Sequence, residues 1–190
     1  MMGDEGGAYW IAWRALKHLF DSDDGLQACP YSLQFLRAEM HDYFQVTNNY
    51  GMLRHLYTDF KKSYMARFTL RVVDGAKKGD PLCLSVFKEA GQQLAKHIMA
   101  VSDKSDADKF PNGLTVVCMG SVWKSWDLLS QSFIETLKPT LDKFKLLRLV
   151  QLTGNGTVGA AVVGARDSGF TVPIDYDKLT HTVCTLTADN

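Results

Sequence analysis

The chain predicts a helix-rich α/β fold with a small, mostly parallel sheet. Its first half repeats apolar residues at three- and four-residue spacing, the period of helices packed on one face. Its second half holds two short apolar runs, 114–119 and 146–152, which read as strands; the first is rich in β-branched residues and reads as buried. A helical stretch lies between them, and strand–helix–strand order implies parallel pairing with a right-handed crossover.

Each element has its own local reason. From Asp4 to Phe20, the residues Tyr9, Trp10, Trp13, Leu16 and Phe20 make one apolar stripe on a predicted helix. Asp4 and Glu5 stand at its start, where acids offset exposed N–H groups and the positive dipole end. A loop rich in Asp and Gly follows over 21–25. Ser32 opens a second helix, with Leu33, Leu36, Met40 and Phe44 on its buried side. Asn48 and Asn49 break the chain before a short helix carrying Met52, Leu53 and Leu56. A further helix is predicted from about Tyr64 to Lys77. Gly79 as a stop, Asp80 as a cap and Pro81 in the first turn open the next, over about 81–101. Its apolar side holds Leu82, Val86, Ala90, Leu94, His97, Ile98 and Val101, with His97 as a satisfied core residue. After the run Leu114–Met119, Gly120 and Ser121 end the strand. A helix through Trp123, Trp126, Leu129 and Phe133 then reaches Leu137 and stops at Pro139. The strand Leu146–Leu152, a small-residue helix Ala160–Arg166 and a weak strand at about 182–186 complete the chain. The expected division is a helical part, 1–110, and a strand–helix part, 111–190.

Composition narrows the class of function. Among 190 residues, 21 Lys and Arg balance 21 Asp and Glu, and a net charge of zero argues against a nucleic-acid partner. No apolar run approaches the roughly 20 residues of a membrane span. Asp4 and Glu5 stand where a targeting peptide would carry basic residues. Cys29, Cys83, Cys118 and Cys184 are far apart, without CxxC or Cys/His ligand spacing, which suits a reducing, cytoplasmic setting without structural zinc.

Three motifs carry chemistry, each beside a plainer reading. Gly154-x-Gly156-x-x-Gly159, with Asp177 further on, matches the dinucleotide fingerprint of an NAD-dependent oxidoreductase. Little chain follows it, so a glycine-rich turn with tight helix packing through Gly159, Ala160, Ala161, Gly164 and Ala165 is the preferred reading. At Gly120-Ser121, a glycine at a strand end allows close approach of a ligand. The following N–H groups and the hydroxyls of Ser121 and Ser125 suit a phosphate or ribose; equally, Ser121 reads as an ordinary N-cap. In Gly3-Asp4-Glu5-Gly6-Gly7, a carboxylate between glycines suits sugar hydroxyls or a cation, and also a helix cap.

Taken together, several segments resemble the animal N-acetylglucosamine kinase family. They are Met1-Met-Gly-Asp-Glu-Gly-Gly-Ala-Tyr-Trp-Ile-Ala12, Gly75-Ala-Lys-Lys-Gly-Asp-Pro81, Gly120-Ser-Val-Trp-Lys-Ser-Trp126 and Gly159-Ala-Ala-Val-Val-Gly-Ala-Arg166, supported by Phe44-Gln-Val46, His55-Leu-Tyr57 and Asp59-Phe60. The likeness spans nearly the whole chain. It implies the sugar kinase, heat-shock-protein and actin superfamily, with two α/β lobes closing over ATP and substrate and transfer to the sugar 6-hydroxyl. This chain is then the C-terminal part of a ribonuclease-H-like actin/hexokinase lobe. By the resemblance, Asp4 binds sugar hydroxyls, Ala66 lies beside the adenine, and Gly120, Ser121 and Ser125 are nucleotide contacts. Arg67 stands where the family has glycine, a departure that bears on the adenine pocket. The cofactors implied are ATP and Mg2+, the metal held mainly by the nucleotide and the other lobe. A homodimer or other self-association is implied as well. No residue here matches the family's phosphate loop or catalytic aspartate, so the expectation is a chain inactive alone, without catalytic residues of its own. A non-catalytic interaction or dimerisation module is the alternative.

Overall fold

The computed structural model describes residues 3–154 and 156–187, Tyr176 and Asp177 by backbone alone. The fold is α/β and helix-rich, in two units: Met1–Val101 with Lys124–Leu137, and Ser102–Trp123 with Lys138–Asn190.

The first unit is helical. Helix α1 spans Ala8–Asp23, α2 Gln34–Phe44, α3 Lys62–Arg67, α4 Thr69–Lys77 and α5 Pro81–Ser102. The buried face of α1 is Ile11, Ala12, Ala15, Leu16 and Leu19, whereas Trp13 is 39 % exposed. This corrects the expected stripe, which the large rings had drawn towards Tyr9 and Trp13. Small side chains face the neighbouring helices instead, and they let the backbones approach closely: the Thr69 hydroxyl donates to the Ala8 carbonyl at 2.5 Å. Asp4 and Glu5 lie in a turn ahead of α1 rather than in its first turn. The single helix expected over 64–77 is divided at Phe68, which is fully buried and donates its N–H to the Met65 carbonyl at 3.1 Å, a tighter step than the α-helical one. Helix α5 starts as its punctuation dictates, with the Asp80 carboxylate accepting from the Cys83 N–H at 2.9 Å. Leu82, Cys83, Val86, Phe87 and Ala90 are its buried face; Val101 is exposed, and so is His97, contrary to its expected core role.

Helix α6 spans Trp126–Phe144 and passes straight through Pro139. A proline removes one helical hydrogen bond, here to the Glu135 carbonyl. Glu135, Lys138 and Pro139 all face solvent, so water can satisfy that carbonyl, while Leu137, Thr140, Leu141 and Phe144 keep the buried face continuous. The helix ends at Lys145, whose φ of 61° terminates it and whose N–H reaches the Leu141 carbonyl at 2.7 Å.

In the second unit, β1 (Leu114–Val117), β2 (Leu146–Leu152) and β3 (Thr180–Thr187) form one sheet in the order β1-β2-β3. β1 pairs parallel to β2, with Leu114 opposite Leu147. β3 pairs antiparallel to β2, with Leu146 opposite Thr187. The sheet is therefore mixed rather than mostly parallel. β1 was expected to be buried, but it is an edge strand of alternating exposure, with Val117 51 % exposed. Helix α7 (Thr157–Asp167) buries no residue, and a Cβ added at Gly159 or Gly164 would meet nothing within 4 Å. The tight packing expected of that small-residue helix is thus absent among the described residues. A short helix, α8 (Tyr176–Leu179), precedes β3. No helix among the described residues is long and apolar enough to cross a membrane.

Candidate functional site

Asp4 sits in a turn bracketed by Gly3 at φ 84° and Gly6 at φ 80°. Its carbonyl accepts the Gly7 N–H at 2.8 Å, which fixes the turn just before α1. Gly6 is required twice over: its φ is left-handed, and a Cβ would stand 2.7 Å from Leu94 Cγ and 2.9 Å from the Ala90 carbonyl oxygen. The glycines of the motif thus set the pose of the acid between them.

The Asp4 carboxylate is oriented by a cation that sequence reasoning missed. Lys62 Nζ stands 2.5 Å from Asp4 Oδ2, and about 6.0 Å from the centre of the Tyr9 ring. That oxygen is shut off from solvent and accepts no well-directed hydrogen bond, although the side chain as a whole is 31 % exposed. The Lys62 ammonium is thus the neighbour that satisfies this buried oxygen, and the other carboxylate oxygen is left to meet a ligand. A ligand hydroxyl is a donor of the right kind. Lys62 opens α3, and Ala66, half-buried, follows one turn later, so one short helix bears both the counter-ion of Asp4 and the position expected beside adenine. Arg67, the departure from the family glycine, is exposed. Beside Asp4, Glu5 Oε2 lies 3.7 Å from His97 Nε2.

The strand-to-helix junction is built differently from its expectation. After β1, Cys118 continues the ladder, its N–H donating to the Val150 carbonyl at 2.7 Å. Gly120 then turns the chain at φ 100°, with nothing within 4 Å of an added Cβ. Ser121–Ser125 forms a 3-10 turn before α6 begins at Trp126, so Ser121 opens that turn and is not the cap of the α-helix. Ser121 is exposed and Ser125 half-buried. Burial pushes the nearby Cys118 thiol up to about 12, which removes it as a nucleophile at neutral pH. Gly120 and Ser121 belong to the sheet unit, and Asp4, Ala66 and Ser125 to the helical unit.

The dinucleotide fingerprint loses its physical basis. It needs a strand–helix–strand unit with parallel strands and a third glycine for close helix packing. Here β3 runs antiparallel to β2, and Gly159 lies in open space. The side chain of Asp177 is outside the described residues. Among the described residues, no group of three or more His, Cys, Asp or Glu side chains could hold a metal ion. No protein-family model matches the sequence.

Proposed function

We propose that this chain is the C-terminal part of the second lobe of a cytoplasmic N-acetylglucosamine kinase, with the ribonuclease-H-like topology of the actin and hexokinase superfamily. The observation that carries the reading is the Asp4 carboxylate, held between two left-handed glycines with one oxygen buried against Lys62. In the proposed role the carboxylate accepts a sugar hydroxyl, and Lys62 holds it aimed. Ala66, Gly120, Ser121 and Ser125 are the proposed nucleotide contacts. The open space at Gly120 fits close approach of a phosphate or ribose. Bound ATP supplies the phosphoryl group for the sugar 6-hydroxyl, with Mg2+ carried by the nucleotide.

No residue in these 190 matches the family's general base. A positioned base contributes roughly 10²–10⁴ in rate, and lost phosphate positioning costs more. The pure chain should therefore transfer no phosphate from ATP to N-acetylglucosamine, whereas kinases turn over at about 1–100 s⁻¹. Turnover above about 0.1 s⁻¹ would overturn the proposed inactivity. Saturable sugar binding that Asp4→Asn leaves unchanged would overturn the role of Asp4.

A second reading, a non-catalytic interaction or dimerisation module, is favoured by one surface. Tyr50, Leu53 and Tyr57 fall at helical spacing with both tyrosines over 75 % solvent-exposed, at 83 % and 76 %. Exposed aromatic side chains of this kind anchor protein contacts. Sedimentation of the chain and of a Tyr50→Ser, Tyr57→Ser variant tests this surface: loss of self-association in the variant supports it as an interface, and unchanged association removes it.

A further inference from the structure

The end of α2 and the segment leading into α3 enclose a cleft of about 860 Å³ in the helical unit. That volume lies within the range of small-molecule sites, about 300–1,000 Å³. None of Asp4, Ala66, Gly120, Ser121 or Ser125 lines it. One wall is aromatic. The rings of Phe44, His55 and Tyr64 pack on one another with centroids 5.3, 5.6 and 5.7 Å apart. His55 Nε2 lies 3.1 Å from the Phe44 carbonyl, which can only accept, so this nitrogen carries a proton and fixes the ring.

The rest of the lining is mostly polar, with two cations, Arg54 and Lys61, against one carboxylate, Asp59. Arg54 gives its Nε–H to Asp59, which leaves the two terminal nitrogens of its guanidinium fork uncommitted. Lys61 is exposed, and its charge acts together with Arg54 on the Asp59 carboxylate. Thr47 adds a hydroxyl and Gln45 an amide. Two uncommon backbone geometries border the same cleft. Gln45 is left-handed at φ 55°, and 54–58 forms a π turn closed by the Asp59 N–H on the Arg54 carbonyl at 2.8 Å. Such departures concentrate at functional sites.

An ammonium, a guanidinium fork and a hydroxyl lining one cleft suit an anion with several acceptor oxygens. Inorganic phosphate would leave most of the volume empty, while the aromatic wall offers a flat surface to a ring. We propose that this cleft binds a phosphomonoester carried on a ring, either a sugar phosphate or a nucleoside monophosphate, with Lys61 and Arg54 on the phosphate and Tyr64 and His55 against the ring. The assignment is independent of the kinase reading.

Equilibrium dialysis of the full chain against labelled hexose 6-phosphate, adenosine monophosphate and inorganic phosphate tests it. One ester should bind at least about tenfold more tightly than inorganic phosphate, and Lys61→Met should weaken it by about tenfold or more, the worth of one charge-assisted contact. Lys61→Arg should retain binding. Lys96→Met, at an exposed lysine of α5 that does not line the cleft, should leave it unaltered. Lys61 is solvent-exposed, so an unchanged melting temperature checks that its variants fold. The ester that binds more tightly identifies the source. Esters that bind no better than inorganic phosphate, or an affinity indifferent to Lys61→Met, would overturn the proposal.

Discussion

Gly6→Ala offers a sharp test of how the Asp4 turn is built. Two costs add at this position. The left-handed φ of 80° disfavours any residue with a Cβ by roughly 1–2 kcal/mol. The new methyl would also stand 2.9 Å from the Ala90 carbonyl oxygen, which is α5 backbone and cannot swing aside, and 2.7 Å from Leu94 Cγ. Forced overpacking of that kind costs about 1–3 kcal/mol. The expected destabilisation is about 2–5 kcal/mol, a large share of the 5–15 kcal/mol typical of a domain. Gly25 is the control, because its φ is 70° and nothing lies within 4 Å of an added Cβ. Gly25→Ala should show the conformational cost alone, about 1–2 kcal/mol. Urea unfolding of both variants, followed by far-UV circular dichroism, gives the comparison through the midpoints and a slope of roughly 1–3 kcal/mol per molar. Equal midpoints for the two variants, or a Gly6→Ala midpoint at that of the parent, would refute the reasoning.

Other outcomes follow from the same structure. Arg37 donates from both terminal nitrogens to Asp23 at 2.6 Å, and with Asn49 it holds that carboxyl at about 2, below its ordinary 3.8. A lowered folded value means the contribution is complete above about pH 4 and is lost as pH falls towards 2. Asp23→Asn should therefore cost about 1 kcal/mol at pH 6, after allowance for solvent screening, and progressively less as pH falls through 2, read from paired acid and neutral melts. Pro139→Ala should stabilise the chain, by up to about 3 kcal/mol, by restoring the helical bond inside α6 without disturbing a buried face; an unchanged or lower melting temperature would contradict this. Burial, with the Asp80 charge, raises the Cys83 thiol well above its usual range, and burial takes Cys118 up to about 12. Alkylation at pH 8 followed by mass spectrometry should label half-buried Cys29 first and leave Cys83 and Cys118 intact until unfolding.

What could be read in advance was local punctuation. Gly79, Asp80 and Pro81 set the start of α5 through their own φ, cap and missing N–H, and the run Leu146–Leu152 is the whole of β2. Features decided by distant neighbours were not legible. The face of α1 is chosen by the helices against it, and alanines win there over tryptophans because backbones must approach. Pro139 is accommodated inside α6 because Glu135, whose carbonyl it frees, lies on the exposed side of the helix. The direction of β3 has no local signature, so the sheet was expected to be more parallel than it is. At the candidate site, Gly3 and Gly6 announced a special turn around Asp4, but its counter-ion Lys62 is remote along the chain and sits in no motif. The phosphomonoester cleft was equally hidden, since the π turn at 54–58 and the left-handed Gln45 leave no trace in residue spacing.

Titration of the uniformly ¹⁵N-labelled chain with ATP tests the central reading most directly. The sugar-kinase account predicts saturable shifts at the amides of Gly120 and Ser121, abolished by Gly120→Val. Shifts confined to Gly154, Gly156 and Gly159, or no response at Gly120 and Ser121, would contradict it.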